Sequence, residues 1–476
     1  MKYYLRPWDR NKHVYITGKT RHGKSVLMHG MAYQDIKNGE GLCVIDAKGD
    51  LVPELLDWVP RHRRDDCIFL DLTTPIPIDF MDCGGHEERM SLVSDIVQIF
   101  ERMDEGWGIR MDGILRYTVT SLALMGNRPF LDIYRALTEE SFRQEIQRHP
   151  NIQSDPVLKP FWTHQAEKLI KSESTTGIAF SRMASFMLSP AFRVILGTAG
   201  GLNIAKAIEE RKIILVKLKP NSDEAMLFGS LIVSKIQQAI FRRPSGNPFM
   251  LYVDEFQNFR SSGFEQILSM AGGLGLSLTL SNQYFNQLDT SVQDAIINNV
   301  STFFLFRMGI ENASRLRGEL KEPSAPPKPD IKALKEKIKA FQKQEDFWDQ
   351  RPGGSNEARI CFEGRINLEA QLKEAERPVP ERLTFLEKLP YLPVGQCVYR
   401  MADGTTTIIK TPPPPPHTIQ VRKTSYAEYI KKRTVDLYSC NDPQVSHTES
   451  NESKVQTDYD NVQPGPPPNS KKARHP

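Results

Sequence analysis

Residues 18–25, GKTRHGKS, follow the spacing G-x-x-x-x-G-K-[ST]. In that spacing successive backbone N–H groups form a nest for anionic oxygens, at a helix N-terminus whose dipole also favours phosphate. Gly18 and Gly23 permit the turn, and Thr20 through Lys24 supply the N–H groups. Lys24 reaches the β- and γ-phosphates, and the Ser25 hydroxyl serves Mg²⁺. The expected cradle is Gly18, Thr20, Gly23, Lys24, Ser25 and Val26, with ATP bound and Mg²⁺ as cofactor. A glycine turn beside a surface lysine has the same letters. The apolar run HVYIT (13–17) before it and helical spacing after it favour phosphate.

A second pair of chemical residues ends another apolar run, MLYVDEF. At a strand terminus Asp254 is placed to hold Mg²⁺, and Glu255 to polarise the attacking water as general base. An Asp-Glu pair by itself is an ordinary solvated turn; beside a phosphate loop it reads as catalytic. A third run, LTLSNQ, ends at Gln283, a candidate γ-phosphate sensor. Catalysis is thus assigned to Lys24, Glu255 and Gln283, and the metal to Ser25 and Asp254.

These groups need a scaffold that brings strand ends together. Apolar runs at 13–17, 42–46, 67–72, 212–218, 249–255, 276–281 and 302–308 read as strands, most separated by helix-sized intervals. Their continuous apolar character suits parallel strands covered on both faces, so the expected fold is α/β, RecA-like, with a mostly parallel sheet. One helix is sharply marked, with Ser222 as N-cap, acids in its first turn, Arg242 and Arg243 in its last, and Pro244 as the stop. From about Glu87 to Leu196 the spacing is helical throughout, which reads as an all-helical insertion. The expected organisation is core at 1–85 and 197–320, insertion at 86–196, extension at 321–420 and a largely disordered tail at 421–476. In the extension, Ile331, Leu334, Ile338 and Phe341 read as a surface helix docked on its own domain in preference to an oligomer contact, and Asp403-Gly404 as the turn of a late hairpin.

Composition narrows the class. A net charge of +4 over 476 residues does not announce a nucleic-acid partner, so any DNA surface must be local. The six cysteines show no C-x-x-C pair or metal-ligand spacing, as expected of free thiols in a reducing compartment. No apolar run approaches the roughly 20 residues that span a bilayer. A cytoplasmic chain is expected, membrane-associated only through a partner.

The ordered set GKTRHGKS, VIDAKGDL, LYVDEFQNF and GLSLTLSNQ resembles the motif series of the HerA–FtsK superfamily, most closely the conjugative coupling ATPases (TraG/TraD type) of type IV secretion systems. The resemblance covers about residues 10 to 320. It implies a RecA-like core, a homo-oligomeric ring, usually hexameric, with ATP sites at subunit interfaces, and ATP-driven pumping of DNA, single-stranded being favoured. A membrane-anchored or relaxase-type protein partner is also implied. In the same series Lys24 and Ser25 match the first motif, Asp254 and Glu255 the second, and Gln283 the sensor. Asp46, Lys48 and Asp50 match the family's DPKGD, with Ala47 in place of proline.

Two departures stand out. The chain shows no membrane helix, whereas coupling proteins usually carry one or more. Gly272 occupies the place of the arginine that serves the neighbouring subunit's ATP, which leaves Arg307 or Arg182 as substitutes. Three readings follow: a conjugation-type DNA translocase, a HerA-like or packaging-type duplex DNA motor, and an ATP-gated assembly protein that moves nothing.

Overall fold

The computed structural model describes residues 7–10, 12–103, 108–171, 183–220, 222–243, 246–259, 263–320, 331–350, 355–376, 384–411 and 423–439. Nine strands form one sheet in the order β3-β4-β2-β5-β6-β1-β7-β8-β9. They are β1 (Val14–Thr17), β2 (Gly41–Asp46), β3 (Cys67–Leu70), β4 (Ile213–Lys217), β5 (Phe249–Val253), β6 (Leu276–Asn282), β7 (Thr302–Leu305), β8 (Gln396–Arg400) and β9 (Thr406–Lys410). The first seven run parallel, and the β8–β9 hairpin adds an antiparallel edge beside β7. Gly404, at φ 85°, makes the hairpin turn.

Both faces are covered, which is why the strands read as unbroken apolar runs. On one face α1 (Lys24–Lys37) and α2 (Leu51–Trp58) bury Leu27, Met28, Ala32, Leu51 and Leu55 against Val14, Ile16, Leu42 and Val44. The other face carries a helical block that includes α3 (His86–Met103) and α4 (Ile109–Met125), and the long helix α5 (Asp223–Arg242). Among the described residues no strand interrupts 71–212, and the block's two ends are pinned together. The Leu202 N–H donates to the Pro77 carbonyl at 2.9 Å and the Asp79 N–H to the Leu202 carbonyl at 3.2 Å. Gly201 is obligatory there, because a Cβ would lie 2.4 Å from the Pro77 oxygen.

Helix α5 starts as its sequence demands, with the Ser222 hydroxyl accepting the Ala225 N–H at 3.0 Å. Arg242 sits in its last turn; Pro244 and Arg182 lie outside the described residues. A polar seam joins α5 to the block: Asp95 accepts from Ser234 (2.9 Å) and Gln238 (2.8 Å).

The carboxy-terminal region holds two helices that the sequence reading did not mark. The helix at Ile331–Asp349 (α6) packs on a helix the sequence reading did not mark, α7 (Ser355–Glu376). Their pairing rests on Arg365 donating to Glu345 at 2.8 Å and on Gly364, which admits the Phe341 ring. The start of the expected tail is a helix, α8 (Lys423–Tyr438), lying on the β3 edge. Ile430 and Thr434 are its fully buried side chains among those described, with Ala427, Val435 and Tyr438 half-buried beside them on the same face. The Thr434 hydroxyl accepts the Phe69 N–H at 3.1 Å, covering an edge that would otherwise expose a donor.

Candidate nucleotide site

Strands β2, β5, β6 and β1 are neighbours in the sheet, and the four sequence motifs leave from their carboxyl ends. That edge is where open α/β sheets bind ligands. At the end of β1 the chain turns through Gly18 (φ 139°), Arg21 (φ 60°) and Gly23 (φ 115°) into α1. Gly18 is needed for space as well as for φ: a Cβ would lie 2.7 Å from the Phe306 Cβ. The loop is held from the β7 side by the Lys19 N–H, which donates to the Arg307 carbonyl at 2.8 Å. Thr20 and Ser25 are exposed and Val26 partly so, while Lys24 is buried. Its ammonium folds back onto the carbonyls of Gly18 (2.5 Å) and Lys19 (3.2 Å). Burial and the nearby Lys48 pull its pKa down to about 8.

Asp46, at the end of β2, accepts backbone N–H groups from Lys48 (3.1 Å), Gly49 (2.8 Å), Leu51 (2.7 Å) and Val52 (2.9 Å). It thereby shapes the AKGD turn and caps α2. Burial nevertheless raises its carboxyl above the usual range. Asp50 lies at the N-cap position of α2 and is exposed. The turn aims Lys48 across the sheet edge, where its ammonium pairs with Glu255.

Glu255 is held from three directions. Besides Lys48, Gln257 donates to Oε2 at 2.7 Å and Gln283 to Oε1 at 3.1 Å. Its backbone sits at φ 49°, an uncommon conformation for a glutamate. Burial works to raise its carboxyl, but Gln257 and Lys48 outweigh this and hold it below the usual range. The adjacent Asp254 is buried, with an Oδ1 that has no hydrogen-bond partner among the described residues. Burial pushes its carboxyl up to about 6, against the pull of Lys48 and the Ser281 hydroxyl and with the push of Glu255 and Asp46.

An orphaned, buried carboxylate oxygen beside a phosphate-type loop fits a divalent cation. Asp254 and the Ser25 hydroxyl are the residues that would hold Mg²⁺. Bound there, it would neutralise charge on the phosphates.

The structure therefore gathers Lys24, Asp254, Glu255 and Gln283 at one edge, with Lys48 at their centre. Gln257 was missed by sequence reasoning, although it stands two residues past Glu255 in DEFQN. Phe306 and Gly395 were also missed. Gly395 donates its N–H to the His22 carbonyl at 3.0 Å, a contact between residues far apart in the chain that no local pattern could show. Gly272 lies in the turn before β6 and accepts the Gly275 N–H. Arg307 is exposed beside its own loop.

No family model matches the chain. A curated relative is the type 4 coupling protein DotL of Legionella pneumophila subsp. pneumophila, 21% identical over 351 residues, or 58% of this chain and 44% of DotL. The chain is homologous to a type 4 coupling protein. It spans less than half the length of that relative. Among solved structures, the unbound bacterial conjugative coupling protein TrwBdeltaN70 aligns with a TM-score of 0.55 at 15% identity, covering 85% of each chain. The plasmid coupling protein TrwB in complex with the GTP analogue GDPNP aligns at 0.53, again at 15% identity, covering 86% of this chain and 87% of TrwB. These likenesses establish the fold: a mixed α/β, RecA-like P-loop architecture shared with a coupling protein. Among the described residues no helix is long and apolar enough to cross a membrane.

Proposed function

We propose that the chain is an ATP-driven DNA translocase of a conjugation- or type IV secretion-like system, hydrolysing ATP at the subunit interfaces of a hexameric ring of identical chains. The observation that carries this reading is the convergence of Lys24, Asp254, Glu255 and Gln283 on adjacent strand ends, with a buried Asp254 oxygen left for a cation. The likeness to DotL supports the secretion-system part of this reading.

In this reading the loop N–H groups bind the phosphates, and Lys24 leaves its own loop carbonyls for the β- and γ-oxygens. Glu255 orients and deprotonates the attacking water, and Gln283, already bonded to Glu255, reports the γ-phosphate to it. The ring neighbour's contribution does not come from Gly272, which has no cationic side chain. Arg307 is the described candidate. The alternative of an ATP-gated switch draws on that same glycine together with the three-way restraint on Glu255.

The test is steady-state ATP hydrolysis with no DNA, single-stranded DNA and duplex DNA. Turnover is expected to rise with DNA, more with single strands, and to fall by about 10²–10⁴ in Glu255→Gln. Lys24→Ala is expected to lose it as well. Tight ATP binding with negligible turnover in all three conditions would replace the motor with the switch. Stronger stimulation by duplex would favour the packaging-type motor.

A further inference from the structure

The phosphate reading fixes which way a nucleotide lies, and the surface on its far side has no assigned role. Asp254, Glu255 and Gln283 stand at β5 and β6, on one side of β1; β7, β8 and β9 stand on the other. A nucleotide with its γ-phosphate at Asp254 and its phosphates in the 18–25 loop must carry its nucleoside toward β7 and β8.

The chain builds a pinned, apolar ledge there. β8 runs antiparallel to β7, with Val398 opposite Leu305, so its entry loop lies at the same carboxyl edge as the phosphate loop. One end of that loop is tied by the Met308 N–H donating to the Leu389 carbonyl at 3.4 Å. The other is tied by Gly395, which donates to His22 at 3.0 Å and accepts the Thr411 N–H at 2.8 Å and hydroxyl at 3.0 Å. The Gly395 Cα lies 3.5 Å from the position a Cβ would take on Gly23. Between the ties Leu389 and Leu392 are buried, yet Tyr391 is 74% exposed and Val394 68% exposed. Exposed apolar side chains are ordinary one at a time; these two differ in sitting on a loop whose Gly395 end is clasped to the phosphate loop, so they offer an apolar surface on the nucleoside side of it.

We propose that Tyr391 and Val394 form the nucleobase subsite of the ATP site, packing against the face of the base. This rests on the phosphate loop binding a nucleotide. Stacking on an apolar platform is indifferent to base identity, because every base has a π-face. The subsite therefore takes adenine and guanine nucleotides alike.

The experiment measures Mg²⁺-dependent binding of ATP, GTP and inorganic tripolyphosphate to the full chain and to a Tyr391→Ala/Val394→Ser double variant. Loss of base packing should weaken ATP and GTP in parallel by about tenfold and leave tripolyphosphate unchanged. The retained tripolyphosphate affinity also shows that the variant is folded. Unchanged ATP affinity overturns the subsite, and if the variant then assembles less readily, the ledge is an interface with a second copy. Equal loss of all three ligands also overturns it, as a distortion of the loop. Failure of the unmodified chain to bind any of the three sinks the nucleotide reading, and the subsite with it.

Discussion

Helix α1 has a buried polar cluster at each end. In its last turns Asp35 joins Arg10 and Tyr252 in a closed triangle: Arg10 donates to Asp35 and, at 2.7 Å, to the Tyr252 hydroxyl, which itself donates to Asp35. In its first turn Lys24 faces Lys48, Asp254 and Glu255. There Asp254 keeps an unpartnered oxygen and a carboxyl pushed up to about 6. Both clusters bury charge, but in the first both carboxylate oxygens are taken, by Arg10 and Tyr252, and only the Arg10 Nε is left over, whereas in the second a carboxylate oxygen is left over. A buried charge whose partners lie within the fold is scaffold; one whose natural partner is missing is poised for a ligand.

Breaking the closed triangle should have the largest effect on stability. Asp35→Ala strands the Arg10 guanidinium and should destabilise the fold by about 3–5 kcal/mol in urea unfolding. Turnover per folded molecule should change little. A drop in turnover out of proportion to the folded fraction would erase the distinction between the two clusters.

His13, just before β1, sharpens the scaffold side. It is buried, accepts the Leu278 N–H at 3.2 Å, and burial pulls its pKa down to about 4. The unfolded chain takes up that proton near pH 6.5, where the folded one does not. The contribution is therefore complete above about pH 6.5 and is lost as pH falls toward 4, an order of 3 kcal/mol in all. His13→Gln should flatten the fall in melting temperature between pH 7 and 5; an unaltered pH profile would remove His13 from the scaffold.

The smallest expected change in stability has the opposite sign. Asp254→Asn removes a costly buried charge and should stabilise the protein by about 1–2 kcal/mol at neutral pH while abolishing turnover. Loss of stability in that variant would place Asp254 with the scaffold.

The RecA-like α/β class was legible because buried parallel strands need continuous apolar runs, and seven such runs were written plainly at β1 to β7. The candidate chemical residues stood out in the sequence where spacing itself implies a mechanism, as in GKTRHGKS. Less legible were elements whose reason lies elsewhere in the chain. Helix α8 carries only a short stripe, Ala427, Ile430, Val435 and Tyr438, and is fixed by the β3 edge it covers, and α7 is defined by its contact with α6.

By itself the sequence determined which residues are the candidates for phosphate, metal and proton chemistry, because a loop's backbone angles and a strand's burial are local consequences of residue type. Only the tertiary structure decided that β2, β5, β6 and β1 stand side by side. From that order came Lys48 pairing with Glu255, Gln283 reaching the same carboxylate, and Gly395 clasping His22 from the opposite side. Sheet order is set by how helices pack on both faces, a property of the whole chain that no single motif contains.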